Sequence, residues 1–441
     1  MAPNIPVLLG CVSRSPDASV PETGPQKQQI KRGSNSLQEK EKDKVLERLL
    51  QECIAHGVYD AWPKLKDMLA TGFEASGLDI PYRRCPRAFS MIYKQCQQEG
   101  RYSEPLGIGN PCQWDQVFYQ RALRCIKFAG AAYLDMSDKK AIASTVGGIA
   151  EQHVLFINKE GSVQCPCFYV AADPVMDAII LAVRGTASIA DVFTDGLVTP
   201  SRFLGMNAHS GSLQSAIAVI DRARSVLERL MLARPDRKVI FVGHSLGAAT
   251  AILASLDMFG EDSEHYDYMQ SDKVECWAFG PPPVLSHPEL LPECAERNIF
   301  TFVHNFDIVP RACPVAICKL LSALDFVNRH HFSRFRWLRG KVPAEQLPDF
   351  VELSPEQSQK VEESLGKYRH AGHLRLLRSG LSEVLHASVT DRCLIHPCMA
   401  NDHLVSSYEA VLQKLAGCDE QSIASIVPHL KRQANLYQAS S

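Results

Sequence analysis

The run Val239-Ile240-Phe241-Val242-Gly243-His244-Ser245-Leu246-Gly247-Ala248-Ala249-Thr250-Ala251 constrains the fold more than any other part of the chain. Four successive β-branched or aromatic residues read as a strand buried on both faces. The small residues that follow read as a closely packed helix, and between the two Gly243 and Gly247 flank a single serine. A strand that turns straight into a helix needs glycines where the two backbones meet. The Gly-x-Ser-x-Gly spacing alone arises by chance in about one chain in seven of this length. The strand before it and the helix after it therefore give it its weight; an ordinary glycine-rich turn with a solvated serine needs neither.

Strands and helices alternate around this turn. Residues 153–157, 167–171, 178–183, 238–242, 274–279 and 299–305 are strand-like, and 114–134, 215–232, 248–258 and 405–415 carry helical periodicity. His373 and His386 fall in stretches that also read as helical. Strands separated by helices imply an α/β fold, a mostly parallel central sheet with helices on both faces. With 441 residues the chain has room for one large domain and an appendage. Residues 1–35, rich in Ser, Pro, Gly and Gln, are expected to be a disordered tail. A helical appendage is expected over 36–113, opening on the capping box Ser36-Leu37-Gln38-Glu39. The main domain then occupies 114–415 and a C-terminal tail 416–441.

Composition removes several function classes. The 47 basic residues nearly cancel the 49 acidic ones, so no global field recruits nucleic acid. The 15 cysteines are scattered rather than arranged as a disulfide framework, and read as mostly reduced thiols. Cys165-Pro-Cys167 lacks a second pair at zinc-finger spacing, so neither a metal nor a cofactor is expected. The apolar residues 5–12 have no Lys or Arg before them and no convincing cleavage site, which argues against a secretory signal and for a cytoplasmic protein. S-acylation of Cys11 stays open. The apolar stretch 239–256 holds Gly243, His244, Ser245 and Gly247, and suits a buried strand and helix better than a membrane span.

A serine on such a turn suggests a nucleophile, which needs a histidine to take its proton and a carboxylate to hold that histidine's tautomer. In this kind of fold the order along the chain is serine, acid, histidine. Asp307, just after the strand-like 299–305, is the candidate acid, and His403, ahead of the helical 405–415, the candidate base. His396 is the nearest rival to His403, whereas His244 is expected to pack or to hydrogen-bond. An oxyanion needs backbone donors. Leu246 supplies one N–H; the second is expected from Thr186 in Arg184-Gly185-Thr186-Ala187-Ser188, a segment that a plain turn would explain equally well.

Six pieces in one order carry a resemblance: Val183-Arg184-Gly185-Thr186 with Ser188, Asp191 and Thr194-Asp195; His209-Ser210-Gly211; Gly243 to Gly247; Phe279-Gly280-Pro281-Pro282; Asp307-Ile308-Val309-Pro310-Arg311; and Asp402-His403. Together they resemble the class 3 lipases, α/β-hydrolases that include fungal triacylglycerol lipases and sn-1-specific diacylglycerol lipases. The resemblance implies a Ser245/Asp307/His403 triad, an oxyanion hole at Thr186 and Leu246, and a lid after Thr186. Ser188, Ile189, Val192 and Phe193 are the lid candidates, with the apolar ones spaced for one side of a helical turn.

The stretch between Asp307 and His403 is long for the compact secreted members, and a cap insertion is expected at about 312–370. Within it Arg334, Phe335, Arg336 and Trp337 belong to a basic and aromatic segment, 328–341, suited to contact a membrane or lipid-droplet surface. The activity implied is hydrolysis of an acylglycerol, diacylglycerol or triacylglycerol. Cleavage of phospholipid sn-1 esters and a non-catalytic lipase-like scaffold are the alternatives.

Overall fold

The computed structural model describes residues 116–162, 165–186, 200–317, 366–377 and 398–417, the short strands at 111–112 and 384–386, and a few isolated positions. In chain order the strands are β1 Pro111–Cys112, β2 Val154–Asn158, β3 Phe168–Asp173, β4 Ala178–Val183, β5 Pro200–Phe203, β6 Met206–His209, β7 Lys238–His244, β8 Val274–Phe279, β9 Ile299–His304, β10 His373–Leu377 and β11 Val384–His386. The helices whose bounds are described are α1 Gln116–Ala131, α2 Lys139–Val146, α3 Ser210–Ala233, α4 Leu246–Phe259, α5 Tyr266–Gln270, α6 Glu293–Asn298 and α7 Val405–Leu415.

Nine of the described strands form one sheet in the order β1-β11-β10-β9-β8-β7-β4-β3-β2, and β5 and β6 form a separate hairpin. The pairings β4/β7, β7/β8, β8/β9 and β9/β10 are parallel, whereas β2, β3, β11 and β1 extend both edges antiparallel. The central strands are apolar on both faces because both are covered. Ile179, Leu181, Val239 and Phe241 pack with Ala216, Ile220, Ile252 and Leu256 of α3 and α4. Their alternate neighbours Ile180, Ala182, Ile240 and Val242 pack on the other side with Phe118, Ile126, Tyr408 and Leu412 of α1 and α7.

Two buried charge groups fasten α1 to this sheet. Arg124 makes a bidentate pair with Asp173 at 2.6 and 2.7 Å. Glu275 on β8 receives Arg121 and Lys238 at 2.5 and 2.6 Å and the Trp277 indole N–H at 3.0 Å. Burial would raise the Glu275 carboxyl, but the two cations hold it well below the usual range.

Four expectations need correction or placement. His373 and His386 lie in β10 and β11 rather than in helices; β10 carries the fully buried Arg375, which breaks the apolar pattern of a central strand. The hairpin of β5 and β6 was not expected, since both strands are only four residues long. Pro111 and Cys112, expected at the end of a helical appendage, form a strand paired with β11. The expected tail 1–35 and nearly all of the appendage, most of the 312–370 insertion and the tail after 417 lie outside the described residues. No described helix is long and apolar enough to cross a membrane.

Candidate active site

Ser245 stands where β7 ends and α4 begins, with φ 60° and ψ −134°, and it is almost fully buried. A non-glycine residue at positive φ costs on the order of 1–3 kcal/mol and is kept only where the surroundings impose it. Here two glycines let them do so. A Cβ on Gly243 would fall on the Gly247 carbonyl and 2.6 Å from the Ala248 nitrogen. One on Gly247 would fall on the Val183 carbonyl and 2.7 Å from the Gly185 nitrogen. Strand, helix and the end of β4 therefore close to backbone contact around the serine, and the Ser245 N–H is spent on the Phe279 carbonyl at 2.9 Å.

Asp307 and His403 arrive from separate directions. Asp307 sits in the turn after β9, and His403 in the loop that enters α7. His403 Nε2 is 2.9 Å from Ser245 Oγ, and its Nδ1 is 2.9 and 3.0 Å from the two Asp307 oxygens. The carboxylate also accepts from the Tyr408 hydroxyl at 2.6 Å and from the Val309 N–H at 2.9 Å. Burial by itself would raise the Asp307 carboxyl; the His403 charge and these three donors outweigh it and hold it below its ordinary value. An ionised Asp307 requires the His403 proton on Nδ1. Nε2 is then the acceptor for the Ser245 hydroxyl.

Gly280 closes the opposite side of this group. It adopts φ +59°, and a Cβ there would lie 2.8 Å from Asp307 Oδ2, 2.9 Å from Tyr408 Oη and 3.3 Å from His403 Nδ1. Asp402 ties the two loops together: its Oδ2 accepts from the Asn305 amide at 3.0 Å and from the Phe306 N–H at 3.1 Å, next to the turn that carries Asp307. Burial raises the Asp402 carboxyl pKa against the influence of His304 and these donors.

His396, the rival base, is elsewhere. Its ring stacks on Phe306 at 3.9 Å and its Nδ1 accepts from the Cys398 N–H at 3.1 Å. Burial pushes its pKa down to about 4. His244 hydrogen-bonds, to Tyr133 and to the His403 carbonyl. His209 caps α3, accepting from the Ser212 N–H at 3.2 Å.

Leu246 is the first residue of α4, where backbone N–H groups have no intrahelical partner. Thr186 follows Gly185, whose Cβ position would be 3.2 Å from Ser245 Cβ, so the Thr186 backbone begins beside the serine. The lid candidates Ser188, Ile189, Val192 and Phe193 and the surface candidates Arg334, Phe335, Arg336 and Trp337 lie outside the described residues.

Cys165 and Cys167 are not joined in a disulfide. The described residues include one group with the ligand types and spacing for a metal, Glu228, Glu264 and His265, whose ligand atoms lie within 4.8 Å of one another. It lies past the far end of α4, about 20 Å from Ser245 at 1.5 Å per helical residue, and takes no part in this site.

Sequence reasoning had not singled out Tyr408, Tyr133, Asp402 or the conformation of Gly280. Gly280 and Asp402 sat inside quoted motifs, yet nothing local gave them a role. Each tyrosine bonds a partner more than 100 residues away in sequence, Tyr133 to His244 and Tyr408 to Asp307.

A mostly parallel sheet, a serine on a strained strand-to-helix turn and a buried Ser–His–Asp chain define an α/β-hydrolase. Residues 180–316 match the family described as Lipase (class 3). Over this segment, and not over the rest of the chain, the sequence is similar to that family. It is 31% identical over 153 residues to diacylglycerol lipase-beta of Mus musculus, covering 33% of this chain and 21% of that protein. It is 30% identical over 146 residues to secreted mono- and diacylglycerol lipase A of Penicillium cyclopium, covering 32% of this chain and 45% of that one. The matched part thus spans about a fifth of the mouse relative and under half of the fungal one. A solved lipase from Rhizopus microsporus var. chinensis aligns with TM-score 0.46 and 18% identity, over 68% of this chain and 91% of that one.

Proposed function

We propose that the protein hydrolyses acyl esters of glycerolipids through an acyl-enzyme on Ser245, with diacylglycerol the favoured substrate. The observation that carries the reading is the continuous chain Ser245 Oγ, His403 Nε2, His403 Nδ1, Asp307, with its links at 2.9 Å. In this reading Ser245 Oγ attacks the ester carbonyl as its proton passes to His403 Nε2. The N–H groups of Leu246 and Thr186 receive the developing oxyanion. His403 then protonates the departing glycerol oxygen, and a water activated by the same nitrogen releases the fatty acid. Asp307 stays ionised throughout and holds the imidazolium.

Support for a lipid ester comes from the family and from the names of the relatives, two of which are a diacylglycerol lipase and a mono- and diacylglycerol lipase. Such a substrate implies work at a membrane or lipid-droplet surface, to which a protein can dock peripherally.

The test is fatty-acid release from mono-, di- and triacylglycerol and from phospholipid, by the wild type and by Ser245→Ala. The serine variant should lose on the order of 10⁶ in kcat and keep the wild-type melting curve. Undiminished turnover by Ser245→Ala would refute the nucleophile. Release from phospholipid and from no acylglycerol would refute the substrate class.

A further inference from the structure

Two side chains outside the Ser245–His403–Asp307 chain join the segment leading into Thr186 to the backbone of His403. Tyr133 lies in the turn after α1, its N–H bonded to the Gly130 carbonyl at 3.1 Å. Its hydroxyl is 3.0 Å from His244 Nδ1, and His244 Nε2 is 2.6 Å from the backbone carbonyl oxygen of His403. That carbonyl only accepts, so the His244 proton is on Nε2. Nδ1 must then accept from the Tyr133 O–H. The ring is neutral, because burial and the neighbouring His403 push its pKa down to about 3.

On its other side the same hydroxyl presses on the end of β4. A Cβ on Gly185 would fall on the Tyr133 hydroxyl and on the His244 carbonyl. The Arg184 guanidinium lies 5.9 Å from the centre of the Tyr133 ring. One phenol thus touches the backbone that leads into Thr186, and through His244 it reaches the backbone of His403. Tyr133 also lies outside the segment that matches the family, 180–316.

We propose that Tyr133 and His244 are a positioning pair that sets the Thr186 segment and the His403 loop at fixed distances from Ser245, so that oxyanion donors and base close on the same ester. The inference rests on the ester-hydrolase reading. Tyr133→Phe keeps the ring under Arg184 and removes the donor to His244 Nδ1. The His244 proton is then no longer confined to Nε2, and the ring's grip on the His403 carbonyl loosens. Removing a whole oxyanion donor costs about 10² to 10³ in rate, and a misplacement of about 1 Å costs on the order of 10². Loss of alignment should cost roughly ten- to a hundredfold in kcat, with KM within about threefold.

The pair is tested on the full chain with a soluble p-nitrophenyl ester, for kcat and KM separately, and by the rate at which a fluorophosphonate labels Ser245. His244→Leu should lose as much kcat as Tyr133→Phe. His244→Gln, which keeps an N–H for the carbonyl and an oxygen for the phenol, should recover most of it. Because the two act in series, the double variant Tyr133→Phe/His244→Leu should fall no further than the worse single variant.

Single losses that multiply in the double variant would mean two independent packing roles and overturn the pair. So would a Tyr133→Phe variant within twofold of wild-type kcat and labelling, or one impaired in KM alone. If Tyr133→Phe does not fold at the assay temperature, His244→Leu against His244→Gln makes the same comparison from the other end. A wild type that neither hydrolyses the ester nor takes the phosphonate would instead overturn the ester-hydrolase reading, and the pair with it.

Discussion

Replacing Gly280 by alanine adds one methyl group in the middle of the site's most tightly held atoms. The new carbon would lie 2.8 Å from Asp307 Oδ2 and 2.9 Å from Tyr408 Oη, where an ordinary contact needs more than 3.4 Å. About half an ångström must therefore be found. Neither oxygen moves freely, since Tyr408 donates to Asp307 at 2.6 Å and also accepts the His304 N–H at 3.0 Å. The carboxylate therefore swivels and takes the His403 ring with it. Since about 1 Å of misplacement costs on the order of a hundredfold, kcat on a soluble short-chain ester should fall roughly tenfold or more while KM hardly changes.

The backbone adds a separate penalty, because φ +59° suits glycine and costs alanine about 1–2 kcal/mol. The melting temperature should drop by a few degrees, as about 1 kcal/mol shifts a domain of this size by roughly 2–4 °C. Steady-state kinetics at substrate concentrations spanning KM, beside a melting curve, separate the two effects. A Gly280→Ala protein with wild-type kcat and a wild-type melt would refute the argument that this space is closed.

Acid should destabilise the fold through its buried imidazoles. Burial lowers His244 to about 3, and His370 and His396 to about 4, from an ordinary 6.5. The unfolded chain therefore takes up protons that the folded one refuses. Their stabilisation is complete above about pH 6.5 and is lost as pH falls toward 4 and then 3. Asp307, with its pKa lowered, adds its own loss only below the ordinary carboxylate range. Melting temperatures should fall steadily from pH 6.5 to pH 4, and a flat profile down to pH 5 would contradict this. Arg124→Ala leaves the Asp173 carboxylate, whose side chain is fully buried, without its partner. It should cost about 3–5 kcal/mol in urea unfolding, and a loss under about 1 kcal/mol would show that water reaches the pair.

How far the architecture could be read in advance depended on how local its causes are. Strands β4 and β8 were placed to the residue, because a strand covered on both faces has no polar position and its apolar run ends where the cover ends. Ser245, Asp307 and His403, which hydrogen-bond in one chain, are legible as candidates because each follows or precedes such an element. Arg375 made β10 look unlike a central strand, although the side chain is fully buried in one. Tyr133 and Tyr408 could not be found at all. Tyr408, within α7, and Tyr133, in the turn after α1, look like any other aromatic core residue, and their bonds exist only once distant parts of the chain have met. Asp402 was quoted beside His403, but its bonds to Asn305 and Phe306 depend on the return of the chain to the turn after β9.

The contact between α1 and α7 bears on what can be cut from this protein. The two helices lie close enough that a Cβ on Gly130 would be 3.0 Å from Val405 Cγ1, and the Gln116 amide donates to the Ala416 carbonyl at 2.8 Å. α7 carries Tyr408 and begins two residues after His403, so α1 is the back wall against which the His403 loop is placed. The segment that looks like a transferable lipase module, 180–316, holds Ser245 and Asp307 but not His403, Tyr133 or Tyr408. On the proposed mechanism, a fragment trimmed to that outline, or grafted by it into another chain, would present a serine without the histidine that takes its proton. The contacts between α1 and α7 make the span from α1 to α7 the least that keeps these parts together.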